Sequence, residues 1–224
     1  MFVFSNLATS IDGKIATSSR EFFPLGTPAD RQQMQVLRRE CDAVVMGAST
    51  LRTFRKFCGV TGASIDKQPM NVVLSSSLEG FSPKWPFFAN PSHKRILCVG
   101  AGASSRKLKP FEKSSEIVVL KKPTAKNPTA LQIMKALEER GVKRLLVEGG
   151  GGLMWDFASQ DLIDEYHLTL TPRVVGGSTS PTLVDGPGLP PKSIVNLKLE
   201  QCRVLGDELY LIYRKTGRRG GALK

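Results

Sequence analysis

Several short apolar runs, each bounded by turn residues and separated by helical patterns, limit what this chain can fold into. The runs cover residues 43–47, 71–74, 95–99, 116–120 and 144–147. Strands that are apolar throughout, rather than alternating with polar residues, are typical of a parallel sheet covered on both faces. The pattern therefore predicts an α/β fold with a mostly parallel central sheet and helices on both faces.

The two ends of the chain complete this architecture. Residues 1–8 predict the first strand, with a brief continuation over residues 14–16. The segments 197–203 and 208–213 flank a Gly-Asp turn and predict an antiparallel hairpin at the C-terminal edge of the sheet. We predict one domain over residues 1–216, followed by a basic tail over residues 217–224.

Two helices have recognisable starts and stops. Thr27 is a suitable N-cap, and Pro28 at the first helical position has the φ angle that a helix requires. A second helix is predicted over residues 128–140, where Gly141 would end it.

The composition limits the kinds of ligand and partner that the chain is expected to bind. The chain has 224 residues, 41% of them hydrophobic, and a formal net charge of +12, which favours anionic ligands such as phosphorylated metabolites or nucleotides. Solubility and a basic tail are the alternative explanation of this charge. Aromatic residues make up only 7% and do not interleave with basic stripes, so nucleic acid is not an expected partner. No apolar run reaches the ~20 residues of a membrane span.

The 4 cysteines are scattered and form no C-x-x-C pair, and of the 2 histidines only His93 lies near one of them, Cys98. This spacing suggests neither a metal site nor a disulfide framework. The N-terminus begins in a strand-like run and lacks the features of a signal peptide. We therefore expect a cytoplasmic protein.

Residues 145–155 carry the strongest functional signal. An apolar strand ends at Glu148, four glycines (Gly149, Gly150, Gly151 and Gly152) follow, and Leu153 opens an apolar helical pattern. Glycines at a strand-to-helix turn let backbone N–H groups approach a ligand closely, and a helix N-terminus favours negative charge. The segment therefore predicts a pyrophosphate cradle with an acid beside the reacting group; a glycine hinge with a solvated acid is the alternative.

Other strand ends carry small or hydroxyl-bearing residues. Gly47 and Thr50 follow one strand, and Ser76 follows the next. Because ligands of open α/β sheets bind outside the carboxyl ends of the strands, these turns predict contacts to a long phosphate-bearing ligand. A nucleotide 2′-phosphate near Ser76, with Arg106 and Lys107 as helpers, and a solvated turn remain alternatives. Residues 100–105 nearly match a dinucleotide-binding fingerprint but lack its third glycine, and a small-residue turn is the favoured interpretation.

Single charged residues are harder to interpret. Lys14 is able to neutralise a phosphate or polarise a sugar oxygen, although a lone loop lysine is more often exposed. Arg38, Arg52 and Arg55, each taken alone, are typical of solvated charges. The chain has no G-x-S-x-G, P-loop or H-E-x-x-H motif, whereas a reaction that takes its chemistry from a nicotinamide needs few protein groups.

At this point the chain resembles a known family, the riboflavin-biosynthesis pyrimidine reductases, which share the dihydrofolate-reductase-like fold. The resemblance spans about residues 4–213. It rests on the segments 8–16, 37–38, 42–50, 147–151, 162–165 and 171–177 taken together.

The resemblance implies NADPH-dependent reduction of a ribosylamino-pyrimidine 5′-phosphate to its ribitylamino form, and a homodimer. It implies catalytic roles for Lys14 and Glu148, and substrate binding by Lys14, Arg38 and Glu148. Arg55, or alternatively Arg52, is a further candidate for binding the substrate phosphate. The residues expected to contact NADPH are Ala8, Gly47, Thr50, Ser76, Gly149, Gly150, Gly151, Gly152 and Leu153.

One segment departs from the family pattern. The family usually continues after the position of Thr50 with Asp-Asp-Pro and a phosphate-binding arginine, whereas residues 51–57 here read LRTFRKF. Since this loop contributes to the substrate pocket, a paralogous reductase acting on a pterin or folate is an alternative function. A nucleotide or nucleic-acid binder without catalysis is a second alternative, motivated by the net charge.

Overall fold

The computed structural model of the protein describes residues 1–125 and 129–216. Its strands are β1 Phe2–Thr9, β2 Ala43–Gly47, β3 Met70–Ser75, β4 Arg95–Gly100, β5 Glu116–Leu120, β6 Arg144–Val147, β7 Glu165–Leu170, β8 Leu197–Leu205 and β9 Glu208–Lys215. Its helices are α1 Pro28–Arg39, α2 Ala48–Phe54, α3 Pro86–Ala89, α4 Ser105–Leu108, α5 Thr129–Glu138 and α6 Gly151–Ala158. None of the helices in this described part of the chain combines the length and apolar character that crossing a membrane requires.

The chain divides into two compact units. The first contains Met1 and Gln35–Gly149, and the second contains Phe2–Met34 and the chain from Gly150 onward. That residues 1–216 form a single reductase domain stays a prediction. The predicted tail over residues 217–224 and the predicted helix start at residue 128 lie outside the described residues.

In the first unit the strands follow the order β5-β4-β3-β2-β6, and every pairing is parallel. β2, β4 and β6 are buried along almost their whole length, which explains why their sequences are apolar throughout. Side chains from β2, β3, β4 and the flanking helices form one hydrophobic core, which includes Met46, Leu51, Phe87, Leu97 and Phe111.

In the second unit the order is β1-β7-β9-β8. β1 and β7 are parallel, while β9 pairs antiparallel with both β7 and β8. The hairpin turns at Gly206, whose φ of 61° lies in the left-handed region that favours glycine. The α/β fold with a mostly parallel sheet and an antiparallel C-terminal edge is therefore confirmed.

Two local expectations need correction. Residues 14–16 do not continue the first strand, because Lys14 makes only an isolated bridge to Thr182. Residues 48–51 are not a turn leading into a helix, because α2 begins directly after β2. The predicted N-cap of α1 is present, since the Thr27 hydroxyl accepts a hydrogen bond from the Ala29 N–H at 3.3 Å.

Candidate active site

The carboxyl ends of the parallel strands in the first unit lie along one edge of the sheet. Gly47 is in register with Leu74, and Val45 is in register with both Val72 and Val147. Glu148 extends β6 by one residue, because its N–H donates to the Val45 carbonyl at 2.9 Å. The parallel register therefore places Gly47, the end of β3 and Glu148 at the edge where open α/β sheets bind ligands.

A buried ion pair forms at this edge. Arg38, in the last turn of α1, donates from Nε to both oxygens of Glu148 at 2.9 and 3.1 Å, and from Nη2 to Oε2 at 2.5 Å. Both residues are only 9% exposed. The interpretation of Arg38 as a solvated charge is thus wrong, and the structure brings Arg38 together with Glu148, another residue that the resemblance implies for substrate binding.

Burial and charge act on this pair in opposite directions. Burial lowers the pKa of Arg38, but the adjacent Glu148 carboxylate outweighs burial and leaves the pKa raised above its ordinary value. The guanidinium therefore stays charged and remains a fixed donor to the carboxylate.

Two thiols lie close enough to this pair for the charge of Glu148 to shift their pKa values. Burial, and after it the negative charge of Glu148, raises the pKa of Cys41 and of Cys58 to about 12. Since the thiolate is the reactive form of cysteine, both thiols are unreactive near neutral pH. They pack the surroundings of the acid and are not nucleophiles.

The start of α2 offers backbone donors at the same edge. Gly47 occupies the N-cap position, and no side chain caps the helix. A Cβ built on Gly47 would meet no atom within 4 Å, so this backbone is open to a ligand. Nearby in the fold, the exposed Ser76 accepts a hydrogen bond through its carbonyl from the Gly100 N–H at 3.2 Å.

Arg55 lies at the opposite end of α2 from Gly47. It follows the last residue of α2, so a helix rising 1.5 Å per residue places it about 12 Å from Gly47. Its guanidinium lies 5.3 Å from the centre of the Trp85 ring, and its Nε donates to the Arg52 carbonyl at 3.3 Å. The structure does not join Arg55 to the Arg38–Glu148 pair, and its substrate role stays a prediction.

In the second unit a compact loop after β1 fixes Lys14. The Lys14 carbonyl accepts hydrogen bonds from the Ser10 N–H at 2.9 Å and from the Thr9 hydroxyl at 3.2 Å. The Lys14 Nζ donates to the Ser180 carbonyl at 3.3 Å. Ser10 is fully buried, and its hydroxyl accepts from the Lys14 N–H at 2.9 Å. The lysine is therefore held by its backbone and its ammonium group at once.

Asp12 ties this loop to the segment after β7. Its two carboxylate oxygens accept hydrogen bonds from the N–H groups of Val175 at 3.0 Å and Gly176 at 2.6 Å. These bonds, with the Ser10 hydroxyl, lower the pKa of Asp12 to about 2. The carboxylate is therefore ionised at any pH where the protein would work.

The glycines before and within α6 differ in their surroundings. A Cβ on Gly151 would lie 2.4 Å from the Thr182 carbonyl oxygen and 2.5 Å from the Asp185 carboxyl carbon, whereas Gly150 and Gly152 have nothing within 4 Å. Gly150 is the N-cap of α6, and no side chain caps this helix either. The open glycines and uncapped N–H groups fit a bound phosphate group.

Several residues that build these features were not predicted. Thr182 donates to Asp185 Oδ1 from its N–H at 2.9 Å and from its hydroxyl at 2.8 Å. In the first unit, the Gly59 carbonyl accepts from Arg38 Nη1 at 3.3 Å. No local pattern marks Gly59, whose partner Arg38 lies 21 positions away. Thr182 and Asp185 are 3 positions apart, but they pack against the distant Gly151, which the sequence does not show.

Comparison with known proteins identifies the family. The sequence profile of the RibD C-terminal domain matches residues 1–211. The chain belongs to this family. This match confirms the resemblance to the riboflavin-biosynthesis pyrimidine reductases.

Two curated relatives are 2,5-diamino-6-ribosylamino-4(3H)-pyrimidinone 5′-phosphate reductases. The protein of Archaeoglobus fulgidus is 29% identical over 91% of this chain and 90% of its own length. That of Methanothermobacter thermautotrophicus is 28% identical over 96% of this chain and 99% of its own length.

Solved structures share the fold. A pyrimidine reductase-like protein of Corynebacterium diphtheriae has a TM-score of 0.81 at 20% identity, covering 97% of this chain and 92% of that chain. Acinetobacter baumannii RibD has a TM-score of 0.74 at 21% identity, and the match spans 96% of this chain but only 58% of that longer protein.

Enterococcus faecalis dihydrofolate reductase, solved with NADP(H), has a TM-score of 0.56 at 12% identity, covering 96% of this chain and 97% of that chain. This similarity confirms the dihydrofolate-reductase-like fold.

The buried ion pair predicts how substitutions affect stability. Glu148→Met leaves the Arg38 charge buried without a partner, which we expect to lower the free energy of unfolding by about 3–5 kcal/mol. Replacing both residues with Met should recover most of this loss, because no charge then remains buried. Urea unfolding of the two variants measures the difference, and equal stabilities would contradict the pairing.

The glycines before and within α6 predict a contrast between neighbours. Gly151→Ala places a methyl group against the Thr182 carbonyl and Asp185, and we expect it to lower the free energy of unfolding by about 1–3 kcal/mol. Gly150→Ala meets no atom, and its φ of −68° suits any residue, so its stability should match wild type. Thermal unfolding of the two variants is the measurement; a less stable Gly150→Ala would contradict the open cradle.

Proposed function

We propose that the protein reduces a ribosylamino-pyrimidine 5′-phosphate to its ribitylamino form with NADPH, in riboflavin biosynthesis. The observation that carries the proposal is the buried Glu148, held by Arg38 at the carboxyl end of β6 and followed directly in sequence by the glycines that start α6. Curated relatives named for this reductase activity support the same conclusion.

The residues proposed to contact the cofactor are those that the family resemblance implies: Ala8, Gly47, Thr50, Ser76, Gly149, Gly150, Gly151, Gly152 and Leu153. For Gly151 the contact is through its N–H, because its Cα side packs against Thr182 and Asp185. When bound, the reduced nicotinamide supplies the hydride.

The preference for NADPH over NADH is assigned to the surroundings of Ser76. Ser76 is exposed at the end of β3, and the basic residues Arg106 and Lys107 belong to α4, which follows β4 in the same unit. A nucleotide 2′-phosphate is a dianion that such donors and cations recognise.

The substrate side depends on Glu148. Because Arg38 occupies both carboxylate oxygens from one direction, the remaining lone pairs are fixed in orientation and accept hydrogen bonds from amino or hydroxyl groups of the substrate. This orients the opened sugar so that its first carbon accepts the hydride. Lys14 would stabilise the oxygen of the opened sugar or assist protonation of the substrate.

We further propose a cytoplasmic homodimer. The cysteines of the described chain are free, as is usual in a reducing compartment. β8 is exposed along its whole length, including Leu197, Leu199 and Val204, and offers an apolar edge to a second copy. Light scattering after size-exclusion chromatography measures the assembly directly.

The activity is tested by following NADPH oxidation with a substrate panel. We expect turnover of the diamino- or the amino-oxo-pyrimidine ribosyl phosphate, and slower turnover with NADH. The panel includes dihydrofolate, since residues 51–57 lack the usual paired acids. Turnover of dihydrofolate alone would favour a paralogous reductase, and binding of oligonucleotides without NADPH would favour a non-catalytic binder.

Two variants test cofactor binding and substrate orientation separately. Gly150→Val should weaken NADPH binding about tenfold or more, because its branched side chain fills the open cradle, while Gly150→Ala serves as the smaller control. Glu148→Gln should keep NADPH affinity within about twofold and lower kcat about tenfold or more through loss of orientation. Fluorescence titration and steady-state kinetics give both values, and normal turnover by Glu148→Gln would remove Glu148 from the substrate side.

A further inference from the structure

Arg38 has a partner besides Glu148. Its Nη1 donates to the Gly59 carbonyl at 3.3 Å, and the same carbonyl accepts from Gln35 Nε2, also at 3.3 Å. Gln35 lies on α1 one turn before Arg38, so both side chains point to the same loop from one helix. The loop over residues 57–63, here called the Gly59 loop, is therefore bonded to the ion pair.

The Gly59 loop is held from β3 by a buried amide. Asn71 is fully buried; its Oδ1 accepts from the Cys58 N–H at 2.7 Å, and its Nδ2 donates to the carbonyls of Cys58 at 3.0 Å and Pro69 at 3.2 Å. A buried amide with three satisfied hydrogen bonds fixes the backbone it contacts. Asn71 thus sets the position of the residue immediately before Gly59.

A second amide holds the residue immediately after Gly59. Gln68 Oε1 accepts from the Val60 N–H at 2.8 Å, and its Nε2 donates to the carbonyls of Val60 at 2.8 Å and Ala63 at 3.0 Å. Gln35 Oε1 also accepts from the Thr61 N–H at 2.7 Å. Gly59 is therefore fixed on both sides by side-chain amides.

Gly59 itself has no room for a side chain. A Cβ at this position would lie 2.6 Å from Gln68 Oε1 and 3.1 Å from the Phe57 ring. Phe57 in turn stacks on His93, with ring centres 4.0 Å apart. The loop backbone can therefore approach Arg38 only because residue 59 is glycine and both amides are in place.

We propose that Asn71 and Gln68 are positioning residues for the substrate, acting through Gly59 and Arg38 on the carboxylate of Glu148. This inference rests on the proposed function. If the Gly59 loop shifts, Nη1 of the buried guanidinium loses its acceptor, and the guanidinium turns toward other oxygens. The carboxylate that it holds then presents its free lone pairs in a different direction.

The test compares Asn71→Leu and Gln68→Met, which keep side-chain volume and remove the amides, with Ile133→Ala as a matched control. Ile133 is fully buried on α5, and its truncation lowers stability without removing any Gly59-loop bond. In both amide variants we expect the pyrimidine KM to rise about tenfold, with the NADPH dissociation constant within about twofold of wild type. The control should lower Tm and change neither constant.

Amide hydrogen exchange gives a readout independent of activity. In the wild type the N–H groups of Cys58 and Val60 should be protected; Asn71→Leu should lose protection at Cys58, and Gln68→Met at Val60. An unchanged pyrimidine KM in both variants, or an equal rise in the Ile133→Ala control, would overturn the inference alone. Wild-type protein that reduces neither pyrimidine would overturn the proposed function and this inference with it. If Asn71→Leu does not fold, Gln68→Met on the loop side decides the outcome.

Discussion

The buried pair of Arg38 and Glu148 is the interaction on which the functional edge of the first unit depends. Two charges that are 9% exposed are tolerated only when their geometry is good and their remaining hydrogen-bonding groups are satisfied. Three parts of the chain meet this requirement together: the last turn of α1, the residue after β6, and the Gly59 loop. The carboxylate is thereby held in one orientation by the guanidinium.

Much of the fold could be predicted because its strands are marked locally. β2, β5 and β6 begin and end at the residues where their apolar runs begin and end. The order in which the strands pair could not be predicted in the same way, because pairing depends on residues far apart in sequence. The parallel pairing of β7 with β1, next to its antiparallel pairing with β9, and the isolated bridge at Lys14 illustrate this limit.

The residues of the candidate site likewise divide into those that the local sequence marks and those that only the tertiary structure shows. Glu148 and the glycines were predictable because strand, acid and helix start are consecutive. Arg38 seen alone has the pattern of a solvated charge, and only the tertiary structure shows it buried against an acid 110 positions away. Asn71 and Gln68 carry no local signal at all, and neighbouring glycines that look equivalent in sequence differ because only Gly151 packs against Thr182 and Asp185.

The hydrogen bonds of Arg38 distinguish two roles for this residue: holding the Glu148 carboxylate and binding a substrate phosphate. A guanidinium has five N–H donors, and Arg38 directs Nε and Nη2 to Glu148 and Nη1 to Gly59. A phosphate at the same guanidinium would compete with the carboxylate for these donors and weaken the pair. Under the proposed function, Arg38 therefore acts on the substrate indirectly, as the cation that holds Glu148, and the substrate phosphate requires another cation. Arg52, Arg55 and Lys56, which lie in the segment 51–57 that departs from the expected pattern, are the basic residues on which that part of the proposal depends.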